Sequence, residues 1–542
     1  MIFVKSIHIE NYKCFEKFDM DFQSGTNIIV GNNEAGKSTV LEAMNLCLSG
    51  LLNGRYLRNE LSEYLFNKSV VKKYLDSLKT ENKIEPPQIL IEVYLDSDED
   101  SNSLFQTLKG TGNSRKEDCS GVKIKVLFDE KYETQSEYEE LLKTDIKSLP
   151  IEYYTVDWSG FHRTSITSRS VPLKPNLIDS SSIKYRNGSD FYIAKIIKDA
   201  MENKQKIALM QAYRNLKNDF KETPELKELN KKITNMTKIS DKDVAVSVNN
   251  SDIDAWENIL ITYFDEIPFT QIGQGEQSIV KTNLALQNLR EDIQNLLLIE
   301  EPENHLSYSN LNILLRSIQE NNVEKQVVIT THSSYVANKL GLKKLLFLNN
   351  SIVKRFGELS DETQNYFSKL PGFNTLRVLL SKKTILVEGP SDELIVQKAY
   401  KVKFGCLPIE KGIDVISVGL SAPRFLELAK ELNIKIAVVT DNDGNYNKNI
   451  EKRYEKYIKN DDYFKVFSNK NNAQNTLEPS FVACNIENKD DLKSVIGYKG
   501  DKDLAEYMQS NKTEWALKIF DSDESFNFPD YINECINWIN NE

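Results

Sequence analysis

The stretch "TNIIVGNNEAGKSTVLEAM", Thr26 to Met44, changes character at a single turn. Before Gly31 it is apolar and β-branched, as a buried strand is. After Gly36 the apolar residues Val40, Leu41 and Met44 recur at helical spacing. Between them "GNNEAGKS", Gly31 to Ser38, fits GxxxxGK[ST] in the strand–turn–helix setting that gives this pattern its meaning. Glycines let backbone N–H groups approach an anion, and the helix start adds partial positive charge. Asn33 to Lys37, with Gly31 and Gly36 bounding the turn, are expected to wrap a β-phosphate. Lys37 is expected to bridge β- and γ-phosphates and Ser38 to hold Mg²⁺, with Thr39 beside it. The implied cofactors are ATP and a divalent cation.

Three further stretches fit the same site. "NLLLIEEPENHL", Asn295 to Leu306, is an apolar strand ending in Glu300 and Glu301. Glu300 stands where a Walker B aspartate is usual, which lengthens the arm toward Mg²⁺. Glu301 is expected to polarise the attacking water. In "VVITTHSSYV", His332 ends another apolar strand and is expected to contact the γ-phosphate. In "QIGQGEQSIV", Gly273, Gln274, Gly275 and Gln277 resemble a degenerate ABC signature. In ABC ATPases that loop closes onto the ATP of the opposing subunit, so the resemblance implies a dimer. Taken singly each piece has a plainer reading: a strand-end histidine is more often a packed one, and a Glu-Glu pair a solvated turn. The order of the four carries the assignment. Gln88, before "ILIEVYL", is a Q-loop candidate.

A chain of 542 residues, 40% hydrophobic and 27% charged, predicts two or three domains. The net charge of -11 excludes a generally basic surface, so contact with nucleic acid must be local or bridged by metal. Six scattered cysteines without a CxxC pair, and four histidines, give neither a zinc ribbon nor a disulfide framework. "MIFVKSIHIENYKCF" alternates and carries charge, so it reads as a strand rather than a signal peptide. No run approaches the roughly 20 apolar residues of a membrane helix. A cytoplasmic protein is expected.

The pattern predicts four segments: an ABC-type ATPase part over 1–165, a lysine-rich helical insertion over 166–245, a second ATPase part over 246–375, and a C-terminal α/β domain over 376–542. In the last, "TILVEG", "IDVISVG" and "IKIAVVTDNDGN" alternate with helices, which predicts a small parallel sheet.

That domain carries a second constellation. Glu388 ends the strand of "TILVEGPSDE", with Asp392 one turn later; Asp441 and Asp443 end "IAVVTDND". Parallel strand ends meet at one sheet edge. Carboxylates gathered there repel and are desolvated, and hard divalent metals, Mg²⁺ or Mn²⁺, relieve that. For Asp392 and Glu393 the plainer reading is a favourable helix start. The EG…D and DxD pattern resembles the Toprim fold of topoisomerases, primases and nucleases. Glu478 in "NTLEPS" is a further candidate ligand, and Lys512 in "NKTEWALKIF" a cation able to stabilise phosphorane charge, or simply a solvated lysine. "KNIEKRYEKYIK", from Lys448, is a basic stretch where DNA would approach.

Together, "EEPENHL", "TTHSSYV", "LVEGPSDE", "DNDG" and "KTEWALKI" resemble the OLD (overcoming lysogenization defect) family of ATP-dependent nucleases. The resemblance implies an SMC-like ATPase with an inserted dimerisation region, then a Toprim nuclease. It implies Glu388, Asp441, Asp443 and Lys512 in the nuclease site, action on DNA as a homodimer or higher oligomer, and a role against phage or foreign DNA. In some members, as in Gabija defence, it implies a UvrD-like helicase partner. Two alternatives stay open: an SMC/RecF-like DNA clamp with a structural Toprim module, and an RNA-directed nuclease.

Overall fold

The structure, a computed structural model, describes residues 1–80, 84–98, 103–132, 146–179, 185–186, 189–190, 201–236, 246, 262–286, 294–320, 325–349, 351–355, 359–372, 374–430, 434–458, 463–500 and 503–541. The chain divides into two compact units. One comprises Met1–Ile29, Asn33–Thr331 and Leu348–Val353; the other comprises Val30–Asn32, His332–Phe347 and Lys354–Glu542.

In the first unit the N-terminal strand Ile2–Tyr12 pairs antiparallel with Phe15–Asp21 on one side and Ile89–Ser97 on the other. Cys119–Phe128 and Tyr154–Gly160 extend this sheet. The helix Lys37–Ser49 packs on it. Its Cys47 carbonyl accepts a hydrogen bond from Trp158 Nε1 at 2.9 Å, and its Cys47 thiol reaches Val122 O at 3.2 Å.

A second sheet has the order Leu173–Asp179, Gln294–Glu300, Gln326–Thr331, Thr26–Gly31, Leu345–Asn349 and Ile352–Arg355. Its first three strands are parallel, with Glu300 opposite Thr330. Every residue of Thr26–Gly31 and Gln326–Thr331 is buried. That is why neither alternates: each carries a central apolar run, Ile28–Val30 and Val327–Ile329, with buried polar residues beside it.

The expected insertion over 166–245 starts too early. Leu173–Asp179 is a strand of this sheet. Its Pro175 and Asn176 conceal it, since both are depleted in strands, and Pro175 is tolerated here on the edge position. The helices described within the insertion are Asn203–Lys221 and Pro224–Met236; residues 191–200 and 237–245 lie outside the described residues. The C-terminal unit also begins before the expected boundary at 376.

The C-terminal unit holds four parallel strands in the order Ile413–Ser417, Lys383–Val387, Lys435–Val439, Phe464–Phe467. The fourth, only four residues long, is absent from the sequence reading. The helix Pro390–Phe404 opens with Pro390 at its first position and ends at Gly405 in the left-handed conformation, φ 73°. It shares a core with the helices Lys512–Asp521 and Asp530–Asn540, through Ile395, Ala399, Trp515, Ile519, Ile532 and Ile536. In register, Val387 lies opposite Val439, so both strands deliver their next residues to one edge.

Candidate metal centre and phosphate-binding loop

Those next residues are Glu388 and the run Thr440–Asp441. The Thr440 hydroxyl and the Asp441 N–H both donate to Glu388 Oε1, the latter at 3.1 Å. One carboxylate oxygen is thereby fixed and Oε2 is left for another partner. Tyr454, buried on the helix Arg453–Ile458, lies near Thr440 and Glu388 and so backs this contact. Asp392 reaches back to accept from Gly389 N at 3.1 Å, so it serves the helix start and also faces the cluster. Desolvation first, then the charges of Glu388 and Glu478, push its carboxyl up to about 7.

Asp441 is pushed further, to about 9, by desolvation and then by Asp392, Glu388, Glu478 and Asp443. Glu478 is buried on the helix Leu477–Cys484 and accepts from Thr476 Oγ1 at 2.8 Å. Buried Tyr531 is raised by burial first and then by the charges of Asp441, Asp392 and Glu478. Asp443 stands on the exposed rim in the left-handed region, φ 47°. Its N–H is held by Asn475 O at 3.2 Å.

Four of the expected carboxylates, with Asp443 at the rim, therefore act on one another. Among the described residues no three acidic, histidine or cysteine side chains are already closed around one point at ligand distance. The donors are all carboxylate oxygen, which suits Mg²⁺ or Mn²⁺ and not a soft metal. Glu393 does not join them: it lies near Arg377 and Asp414. Lys512 starts the helix Lys512–Asp521 and is exposed; it is not among the charges acting most on Asp392 or Asp441.

In the first unit, Gly36 caps the helix Lys37–Ser49 with φ 98°. A Cβ there would lie 2.4 Å from Phe15 Cζ and 2.8 Å from Cys14 Sγ, so both conformation and space demand glycine. Asn33 and Ser38 are exposed on the loop, as an approaching ligand requires, and Thr39 is half-buried behind them. Lys37 is buried, and burial lowers its pKa against the opposing pull of Glu301, Glu300 and Glu303. Glu301 has φ 44°; its N–H donates to Thr330 O at 2.9 Å and its Oε2 accepts from Asn304 Nδ2 at 2.8 Å.

Glu303 and Asn304 are absent from the sequence reading, although both lie within the quoted "EEPENHL". Glu303 Oε1 accepts from Thr331 Oγ1 at 2.6 Å. Gly31 ends its strand buried. His332 follows Thr331 and belongs to the C-terminal unit, where it lines a cavity of about 420 Å³ with Ser334, Asn374 and Arg377.

The signature loop is used inwardly in part. A Cβ on Gly275 would meet His305 O at 2.6 Å, and buried Gln277 donates from Nε2 to Ile272 O at 3.0 Å. Gly273, Gln274 and Glu276 remain exposed.

Two family models match the chain: "AAA ATPase domain" over residues 2–337 and "Overcoming lysogenization defect protein-like, TOPRIM domain" over residues 379–443. Endonuclease GajA of Bacillus cereus (strain VD045) is 22% identical over 468 residues, which are 81% of this chain and 74% of GajA. Among solved structures, the C-terminal region of the Xanthomonas campestris pv. campestris OLD protein is 24% identical. It covers 30% of this chain and 92% of that chain, with a TM-score of 0.24. A Smc head domain with an extended coiled coil, bound to a ScpA domain and derived from Pyrococcus furiosus, is 12% identical. It covers 65% of this chain and 96% of that one, with a TM-score of 0.34.

Proposed function

We infer that this chain, which belongs to the AAA ATPase domain family and carries the TOPRIM domain of overcoming-lysogenization-defect-like proteins, is an ATP-dependent nuclease, in keeping with its likeness to an endonuclease. Its substrate is DNA, cut internally with Mg²⁺ or Mn²⁺, and nucleotide at the phosphate loop regulates the cut. The observation that carries this reading is the carboxylate cluster at the ends of paired parallel strands, with Asp441 held up to about 9 by burial and its acidic neighbours. Such crowding calls for a cation.

Bound divalent metal supplies a Lewis acid for the scissile phosphate and an activated water. Glu388 would offer Oε2 while Thr440 and Asp441 N–H hold Oε1. Asp392, Asp441 and Glu478 complete the inner set and Asp443 the rim. Lys512, exposed at its helix start, would meet the phosphate of a docked strand. In the first unit Lys37 and Ser38 would bind the ATP phosphates and Mg²⁺, and Glu301, oriented by Asn304, would polarise the water. The exposed edge of the signature loop fits closure on a second copy, hence a homo-oligomer. His332 as a γ-phosphate sensor rests on the order of the four ATPase stretches in the sequence; a helicase partner and a defence role rest on the family resemblance. Among the described residues no helix is long and apolar enough to cross a membrane.

The test is supercoiled plasmid incubated with the full chain, Mg²⁺ or Mn²⁺, with and without ATP. The comparison variants are Asp441→Ala/Asp443→Ala and Lys512→Ala. Metal-dependent nicking that is lost in the first variant, and reduced by roughly 10²-fold or more in the second, is expected. Nicking that survives Asp441→Ala/Asp443→Ala rejects the assignment. Cleavage of RNA alone would move the reading to an RNA-directed nuclease.

A further inference from the structure

Asn442 sits between two proposed ligands, yet its side chain is buried and its hydrogen-bonding capacity is spent elsewhere. Nδ2 donates to Asn469 O at 2.6 Å and to Asn471 O at 3.1 Å, and Oδ1 accepts from Gly444 N at 2.8 Å. Its carbonyl accepts from Asn449 Nδ2 at 2.9 Å. The turn that carries Asp441 and Asp443 is thus gripped to the segment Asn469–Thr476.

That segment leads to Glu478. Asn469 Nδ2 donates to Gln474 Oε1 at 2.8 Å and to Ser480 Oγ at 3.0 Å. Ser480 Oγ donates to Thr476 O at 2.9 Å, and Thr476 Oγ1 to Glu478 Oε2 at 2.8 Å. The Asp443 N–H closes the loop from the other side, on Asn475 O. A continuous set of hydrogen bonds therefore runs from the middle of "DND" to the carboxylate of Glu478.

We propose that Asn442 is a positioning residue that sets Glu478 against Asp441 and Asp443. The inference rests on the metal reading above. The physical need is plain: these carboxylates repel, so their own contacts cannot hold them together, and a neutral amide bonded to two carbonyls can. Serine at 442 could still bond Gly444 but could not span to both carbonyls. Residues behind metal ligands of this kind typically change metal affinity by roughly 10–100-fold.

The experiment is Mn²⁺ titration of the full chain, followed by electron paramagnetic resonance, for the wild type, Asn442→Ser, Glu478→Gln and the double variant. Metal-free thermal transitions are measured beside it. Asn442→Ser is expected to lose roughly 10-fold or more in affinity, and the double variant to bind no worse than Glu478→Gln within about twofold. Multiplying losses, or a lowered transition with unchanged affinity, overturn the inference and leave Asn442 a turn-holding residue. Asn471→Ala is a milder second variant. Its exposed side chain accepts from Ala473 N–H and so shapes the segment Asn469–Thr476 to which the turn is gripped. A smaller loss, again absorbed by Glu478→Gln, is expected, and an independent loss overturns the proposal even where Asn442→Ser does not fold. A wild-type chain that binds no Mn²⁺ rejects the metal reading itself, an outcome distinct from either.

Discussion

The guanidinium of Arg377 holds both oxygens of Asp414, with Nε 2.7 Å from Oδ2 and Nη2 2.6 Å from Oδ1. Arg377 lies on the short helix Thr375–Leu380, and Asp414 on the edge strand of the C-terminal sheet. The same helix is tied to the one after His332: Leu376 N donates to Ser334 Oγ at 3.1 Å and Thr375 Oγ1 to Asn338 Oδ1 at 2.6 Å. Six residues thus join the segment that follows the strand-end histidine to the sheet that carries Glu388. Arg377→Ala leaves a mostly buried carboxylate without its partner and is expected to cost about 1–3 kcal/mol. Arg377→Lys restores charge but not the two-pronged geometry and is expected to recover less than half. Urea denaturation of the C-terminal unit measures both; a lysine variant equal to wild type would reduce the pair to simple charge.

Gly36→Ala is expected to abolish nucleotide binding. The new Cβ would sit inside the van der Waals shell of Phe15, and φ 98° adds about 1–2 kcal/mol of strain. Fluorescent ATP-analogue titration checks it. Metal-dependent nicking measured without ATP is expected to be the same in Gly36→Ala as in wild type, since the carboxylate cluster lies in the other unit. Normal nucleotide affinity in Gly36→Ala would mean that the loop does not hold phosphate as argued.

The acidic cluster makes a pH prediction for metal-free protein. The folded state holds a proton on Asp441 up to about 9, whereas an unfolded aspartate releases it near 4. Its contribution is therefore complete below about pH 4 and fades as pH rises toward 9. In EDTA, the thermal midpoint of the C-terminal unit is expected to fall between pH 6 and pH 9. Asp441→Asn is expected to flatten that fall and to raise the midpoint at pH 8 by a few degrees, at roughly 2–4 °C per kcal/mol. Added Mn²⁺ is expected to reverse the fall in wild type only. Equal slopes in wild type and variant would show that the crowding is not borne by Asp441.

Much of this arrangement was legible in the sequence because it is local or is fixed by strand ends. "GNNEAGKS" announces its own strand, turn and helix. Glu388 and Asp441 each follow an apolar strand, and parallel pairing then brings them together without further information. What was not legible depends on partners distant in the chain. Leu173–Asp179 becomes a strand only through pairing with Gln294–Glu300, against the preferences of Pro175 and Asn176. Tyr531 and Tyr454 are ordinary helix aromatics until the fold sets them beside the cluster. Asn442 looked like the variable residue of a DxD pair, and only its bonds to Asn469 and Asn471 give it a task.

Glu301 and Asn304 allow the nucleotide site to be divided into binding and hydrolysis. Glu301 takes a left-handed backbone conformation that costs a non-glycine residue on the order of 1 kcal/mol. Bonds from its N–H to Thr330 O and from Asn304 Nδ2 to its Oε2 stabilise that conformation. This places its carboxylate beside Lys37, together with Glu300 and Glu303. Glu301→Gln keeps the shape and removes the base, so ATP binding is expected to be retained while hydrolysis falls by roughly 10²-fold or more. Asn304→Ala frees the carboxylate without removing it, so a smaller loss, roughly 10-fold, is expected. Steady-state phosphate release and nucleotide titration, run side by side, separate the two effects. Glu303→Gln offers the contrast: its Oε1 already accepts from Thr331, and hydrolysis is expected to be less affected than by Glu301→Gln. The reverse ranking would make Glu303 the group that acts on water and reduce Glu301 to a strand-end residue that shapes the turn.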